Sequence, residues 1–280
     1  MAITNFIPTV WSETLTKELD KQYVGVRNCS REFEGEIKGK GSVLKICGVG
    51  PINVFDYEKN IDMDSYYLES INTTQSTLEI TQSKGFNFQI DDVDKVQSKP
   101  ALMRAALDKA ANALAEVADR YVYSLYSEVK EENSITWGSP DPETIIDLII
   151  ELREKFYKNN VNGNVETVLE VPPYVASIIL KAKIATMSDN TDEVTNGYIG
   201  NVAGFKIYVT NHLPVDRAEY VCIARTTRAI AFAEQLNEVE AYRPERRFAD
   251  AIKGLHLYGA KIVYPDEIMC MKVYDSALED

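Results

Sequence analysis

The sequence predicts an α+β protein organised around one unusually long helix. After Pro100, residues up to 130 contain neither Gly nor Pro, and apolar side chains recur there at helical spacing. Two β-rich runs, residues 35–50 and 77–90, come before that stretch rather than alternating with helices. Beyond it, strands and helices follow in an order with no βαβ rhythm and no internal repeat.

Residues 1–33 read as an N-terminal arm with one short helix near Val10–Gln22. Ser12 and Glu13 offer its start, and Trp11, Leu15 and Leu19 share a face at i, i+4, i+8. Residues 34–90 read as an extended hairpin loop. Its first strand lies in Gly35–Gly50, and its second is Thr77–Ile90, where Leu78, Ile80, Phe86, Phe88 and Ile90 fall on one parity. Gly85 is expected to mark a bulge or bend within that second strand without loss of its register. A two-stranded arm is marginally stable alone, so these apolar residues are expected to need cover from a neighbour. On that reading, replacing Glu36–Gln82 with a short Gly/Ser linker leaves a folded, helical monomer that cannot join its copies into a closed assembly.

The long helix spans Pro100–Lys130, roughly 45 Å at ~1.5 Å per residue. Its expected seam is Met103, Ala106, Leu107, Ala110, Ala113, Leu114, Val117, Ala118, Tyr121, Val122 and Leu125. Within it, Ala106, Ala110, Ala113 and Ala118 would admit a close neighbour, and Glu116–Arg120 forms a favourable i, i+4 pair. Residues 91–138 and 237–280 are assigned to one domain with this helix, and 139–236 to a second α+β domain. The second domain opens with an amphipathic helix (Ile145, Ile146, Leu148, Ile149, Leu152, Phe156). A strand, a Pro172-Pro173 helix start, a polar loop at Thr186–Asn196 and further strands follow. Val239–Val273 reads as two or three antiparallel strands beside the long helix.

Composition narrows the function. The 280 residues are 45% hydrophobic and 26% charged, ordinary globular values for one or two domains. Net charge is −13, from 43 acidic and 30 basic residues, which repels phosphate backbones and argues against sequence-specific nucleic-acid binding. No stretch approaches the ~18 apolar residues of a membrane span. The N-terminus lacks a basic leader pattern and carries Pro8, so a cytosolic site of synthesis is expected. Cys29, Cys47, Cys222 and Cys270 are widely spaced and read as small buried hydrophobes.

Candidate chemistry is thin. His212 lies at a strand-end turn and His256 within a strand, neither with a partner at metal-ligand spacing. Gly35, Gly39 and Gly41 around Lys38 and Lys40 have the wrong spacing for a phosphate loop. Asp62/Asp64 and Asp91/Asp92/Asp94 do not match a calcium loop, and Asp91–Asp94 read as acceptors in the turns before the long helix. No nucleophile elbow or kinase set is present. The expected site list therefore holds no catalytic, cofactor-binding or metal residue, and the expected role is not enzymatic. Leu78, Ile80, Phe86 and Phe88 are named instead as assembly residues.

Several segments resemble the major capsid (coat) proteins of tailed bacteriophages, of the short-tailed-phage type, whose Johnson fold is shared with encapsulins and the herpesvirus capsid floor. "NFIPTVWSETL" resembles the family's N-terminal arm, and "REFEGEIKGKGSVLKI" the ascending strand of its extended loop. "FNFQIDDVDKVQSKPALMRAALDKAANALAEVADRYV" resembles the return strand and spine helix. "GYIGNVAGFKIYVTNHLP" and "AIAFAEQLNEVEAYRPERRFADAIKGLHLYGAKIVYP" resemble the axial and closing peripheral segments.

The resemblance implies a subunit that self-assembles as hexamers and pentamers into an icosahedral shell around double-stranded DNA, without sequence-specific contacts. It implies scaffolding and portal proteins as partners, with assembly in the host cytoplasm and residence in the virion. No large inserted domain and no scaffolding segment ahead of the arm are expected. No Lys, Asn and Glu trio supports covalent cross-linking. An encapsulin-like nanocompartment or another phage structural component is the alternative.

Overall fold

Freedom from Gly and Pro lets one helix run unbroken beneath two sheets. The computed structural model describes residues 8–32, 41–49, 56, 59, 73–91, 101–161, 163–182, 198–246 and 248–275. Helix α1 is Pro8–Gln22, with Pro at its first position, where no intrahelical N–H is needed. Strands β1 (Val43–Val49), β2 (Thr73–Glu79) and β3 (Gln82–Asp91) precede the long helix α2, Ala101–Ser124. Its 24 residues measure about 36 Å at ~1.5 Å each, and a 3₁₀ turn, Leu125–Glu128, continues it. Next come β4 (Ser134–Trp137), α3 (Thr144–Lys158), β5 (Thr167–Val171) and α4 (Pro173–Lys181). The chain closes with β6 (Tyr198–Val202), β7 (Phe205–Val209), β8 (Val215–Asp216), β9 (Glu219–Thr226), β10 (Ile230–Tyr242), β11 (Ala249–Ile262) and β12 (Ile268–Tyr274).

Among the described residues, the strands form three sheets. β1 and β2 form a two-stranded antiparallel ribbon, with Val43 opposite Glu79 and Val49 opposite Thr73. β10, β11 and β3 form a three-stranded antiparallel sheet. The largest runs β4-β12-β9-β5-β7-β6, with β8 attached to β9. One face of the three-stranded sheet packs on α1 and α2: Ile230, Phe232, Ile252 and Tyr258 join Leu15, Leu19, Leu107, Ala111, Leu114, Ala118 and Val122. The opposite face carries Ala231, Ala233 and Leu257, which bury against Leu44, Ile46, Leu78 and Ile80 of the ribbon and its end. The largest sheet packs α3 and α4 on one face, through Ile145, Leu148, Ile149, Leu152, Phe156, Val175 and Ile179. From its other face, Val221, Ile223, Ile268 and Cys270 join the core around α2. The long helix thus braces both sheets.

Local signals account for the element ends. Asp141 accepts hydrogen bonds from the Thr144 and Glu143 N–H groups (2.8 and 3.1 Å) just ahead of α3. Thr144 chiefly, through its hydroxyl and its N–H, holds that exposed carboxyl below its ordinary range. The β6–β7 turn places Ala203 and Gly204 at φ 49° and 83°, the left-handed pair a tight hairpin requires.

Four expectations need correction. The strand expected over Thr77–Ile90 is two strands. The chain breaks at Ile80 and Thr81, where it leaves β1 for β11, while Gly85 sits in regular register opposite Leu255. Leu78 and Ile80 are not left for a neighbour, because both are fully buried inside this chain. Excising Glu36–Gln82 would strip cover from Ala231, Ala233 and Leu257, so the linker variant is now expected to be destabilised. The α2 seam is rotated from the one expected: Ala113 is exposed and Val117 is 38% exposed, whereas Ala111 and Ala115 are buried. An Ala-rich helix is apolar on several sides, so packing rather than periodicity sets which side turns inward. Finally, the closing strands divide. β11 lies beside α2 as expected, but β12 pairs with β9 and β4 in the largest sheet, because Met269, Met271 and Val273 find their core against α3 and α4.

The rotated seam gives a direct test. Ala115→Leu should lower stability by about 1–3 kcal/mol through overpacking, while Ala113→Leu should stay within about 0.5 kcal/mol. Denaturant titration of both variants distinguishes the observed face from the expected one.

Candidate assembly site

The segment following α1 is drawn into a polar seat between the two larger sheets. Asp119, on the buried face of α2, is wholly inaccessible, and its carboxylate accepts the N–H groups of Val24 (3.0 Å) and Val26 (2.9 Å). Gly25 lies between them. A Cβ there would meet the Tyr123 ring at 2.7 Å, so the backbone approaches α2 only because the side chain is missing. From the far side come Arg225 of β9 and Glu170 of β5, both with fully buried side chains. Arg225 Nε and Nη2 donate to Glu170 at 3.0 and 2.8 Å, a bidentate pair. The guanidinium also donates to the carbonyls of Gly25 (2.6 Å) and Asn28 (3.0 Å), and Asn28 Nδ2 donates to Glu170 at 3.1 Å. The arm then hydrogen-bonds into the edge of β10: Ser30 N donates to Ile230 O, and Phe232 N to Ser30 O, both at 2.9 Å.

A second node ties α1 and the arm to the three-stranded sheet. Glu234 of β10 accepts from Tyr23 Oη (2.6 Å), pairs with Arg31, and lies 2.7 Å from His256 Nε2 on β11. Burial acts to raise the Glu234 carboxyl. The hydrogen bond and proximity of His256, with the Tyr23 bond and the Arg31 charge, outweigh it and hold the group below its ordinary range. Burial, reinforced by Glu234, pushes the Tyr23 phenol far upward, so it remains a donor.

The residues singled out in sequence fall as follows. Leu78 and Ile80 seat the ribbon, and Phe86 and Phe88 are half-buried on β3, stacked on one another (6.1 Å between centroids) against the α2 core. All four share a parity, yet they bury on opposite faces of the three-stranded sheet. His256 is buried in the Glu234 node, and His212 Nδ1 lies 3.5 Å from Asp119 Oδ2. Cys29, Cys222 and Cys270 are free and buried. Gly41 adopts φ 82° beside β1. Gly35, Lys38, Gly39, Lys40, Asp62, Asp64, Asp92, Asp94 and the Thr186–Asn196 loop lie outside the described residues, as do the side chains of Trp11, Cys47, Ile90, Asp91 and Met103.

Among the described residues no group of three or more His, Cys, Asp or Glu could hold a metal ion. No helix there is long and apolar enough to cross a membrane. Sequence reasoning passed over Asp119, Glu170, Arg225 and Glu234. A signal was present: each is a charged residue inside an otherwise apolar helix face or strand, such as Glu170 in "VLEV" and Arg225 in "VCIART".

Solved structures identify the architecture. The chain aligns with the structure titled "Capsid of Ralstonia phage GP4" at TM-score 0.70, over 92% of this chain and 91% of that one, with 7% identity. It aligns with a structure of Mycobacterium phage Che8 at TM-score 0.68, over 89% of this chain and 91% of that one, with 31% identity. The holo-SrpI encapsulin complex from Synechococcus elongatus matches at TM-score 0.60 and 10% identity, over 83% and 82% of the two chains, a likeness of fold alone. The α+β architecture is therefore the Johnson-type capsid fold, that of a shell subunit. The family model described as phage capsid protein matches residues 74–270, and the chain belongs to that family, in the role of a structural major capsid protein. No protein with a curated description matches it significantly.

Two measurements test the seat. Arg225→Met should cost about 3–5 kcal/mol by leaving Glu170 buried and unpaired, and Arg225→Met/Glu170→Leu should recover much of that loss. Chemical denaturation of the single and double variants checks it. The Glu234 node predicts a pH limb. The unfolded carboxyl takes up its proton near pH ~4.3 and the folded one only at lower pH. Its contribution is therefore present above the unfolded value and lost as pH falls through the folded one. Glu234→Gln should lose less stability than wild type as pH falls below about 4.3, read by the same titration.

Proposed function

We propose that this capsid subunit assembles as hexamers and pentamers into a closed icosahedral shell enclosing double-stranded DNA. The observation that carries this reading is the 31% identity to the Mycobacterium phage Che8 structure across 89% of the chain. Acidic charge supports it, because a net charge of −13 disfavours strong adhesion of phosphate backbones to the subunit. A scaffolding protein and a portal protein are the expected partners, with assembly in the bacterial cytoplasm and the subunit's role mechanical rather than catalytic. Within the subunit, α2 and the three-stranded sheet form the peripheral domain, and the sheet bearing α3 and α4 forms the axial domain. Leu78 and Ile80 serve assembly by anchoring the ribbon. Phe86 and Phe88 serve it by stiffening the strand that follows.

The likeness to an encapsulin favours one other occupant of the same shell, a protein cargo. Expression in a bacterial host, with and without a co-expressed scaffolding protein, followed by negative-stain microscopy and sedimentation, tests the proposal. Closed particles or free capsomers are expected. A monomer under every condition overturns it, and particles filled with a specific host protein favour the encapsulin reading.

A further inference from the structure

Among the described residues, the ribbon meets the three-stranded sheet most closely where β2 ends. Between β2 and β3 the chain passes over β11 at Gly259. A Cβ at that position would lie 2.3 Å from the Glu79 carbonyl oxygen, 3.1 Å from its carbon and 3.2 Å from Ile80 Cα. All three are backbone atoms, so no side-chain rotation makes room for a methyl group. Two residues on, Lys261 Nζ reaches across and donates to Thr77 O at 2.8 Å. Leu257, on the same face of β11, lies in the apolar cluster with Leu44, Ile46, Leu78 and Ile80. The ladder closes there too, with Gly41 N bonded to Ile80 O and Ile80 N to Ser42 O, both at 3.1 Å.

We infer that Gly259 is a positioning residue for shell assembly. Its missing side chain lets the β1–β2 ribbon seat directly on the sheet backbone and so sets the direction in which the ribbon projects. The inference rests on the capsid reading. Apolar burial by itself is non-directional and would tolerate a range of ribbon angles. A backbone-on-backbone crossing beside a charge-assisted hydrogen bond tolerates few. The lever is long: β1 covers seven residues, about 23 Å at ~3.3 Å each, so a tilt of about 10° at the base moves its far end by about 4 Å. A displacement of that size is large against the tolerances of close-packed interfaces. Gly259→Ala should therefore disturb how copies meet more than it disturbs how each copy folds.

The test compares Gly259→Ala, Lys261→Met and Ile149→Val, the last a mild core change beneath α3, away from the ribbon. Circular dichroism, thermal unfolding and amide hydrogen exchange are measured on the subunits, and particle diameter by electron microscopy after assembly. Gly259→Ala is expected to keep wild-type helicity and protection in α2, to exchange faster across 41–49 and 73–80, and to lose closed shells of wild-type diameter. Lys261→Met should do the same more mildly, and it carries the comparison if Gly259→Ala does not fold. Ile149→Val should lower the melting temperature yet build normal shells. Wild-type shells or unchanged ribbon exchange in Gly259→Ala overturn the inference. So do equally aberrant shells from Ile149→Val, since stability alone would then explain them. If the wild type builds no shells, the capsid reading fails separately, and ribbon exchange still decides whether Gly259 seats the ribbon.

Discussion

The structure depends on a strip of backbone, residues 23–30, being held between the two larger sheets by buried charge. Asp119 grips its N–H groups from the helix side, and Arg225, fixed by Glu170, grips its carbonyls from the sheet side. Such a strip has no sheet of its own to pair with along most of its length. Unpaired in the interior, its amides would each cost about 1–3 kcal/mol. The charged side chains stand in for a missing strand. Burying them carries a desolvation cost, which the bidentate geometry and the extra backbone hydrogen bonds offset. Remove one member and the arm, α2 and both sheets lose a shared reference point.

That arrangement suits a subunit whose work is mechanical. A shell is only as regular as the angles between the parts of each copy. Here α2 is common to both larger sheets, the arm is locked against it, and the ribbon is seated on the outer face of the three-stranded sheet. Rigidity comes from two different sources. Apolar burial supplies most of the stabilisation. Direction comes from close backbone approaches, at Gly25 against Tyr123 and at Gly259 beneath Glu79, where a methyl group would not fit. The Glu234 node adds a third tie, joining α1, the arm, β10 and β11 through four polar side chains.

Much of the fold was legible in the residues. The long helix, the amphipathic α3, the Pro-Pro start of α4 and the alternation of β7 and β11 are local patterns, each readable within one segment. The candidate site was legible only in outline. Leu78, Ile80, Phe86 and Phe88 are recognisable as apolar residues needing cover, but their pattern does not say whether that cover comes from the same chain or from a second subunit. Their common parity suggested one strand with one buried face. In the structure a two-residue break sends the pairs to opposite faces of the same sheet. A strand reveals which of its residues point the same way, and its partner alone determines where that way leads.

By itself, the sequence determined that this protein is α+β, that a long helix lies within the Gly- and Pro-free stretch between Pro100 and Lys130, and that the chain carries excess negative charge; the α-helical end at Ser124 came from the structure. Those properties follow from backbone propensity, short-range periodicity and composition, which act within a few residues. Only the tertiary structure decided that Ala111 and Ala115, not Ala113, face inward, and that β12 joins β9 and β4 rather than β11. It alone also decided that Asp119, Glu170 and Arg225 meet around the arm, although they lie far apart in the chain. These outcomes depend on contacts between distant segments, whose free energies are set by complementary shape and by the satisfaction of buried polar groups. No window of neighbouring residues contains that information.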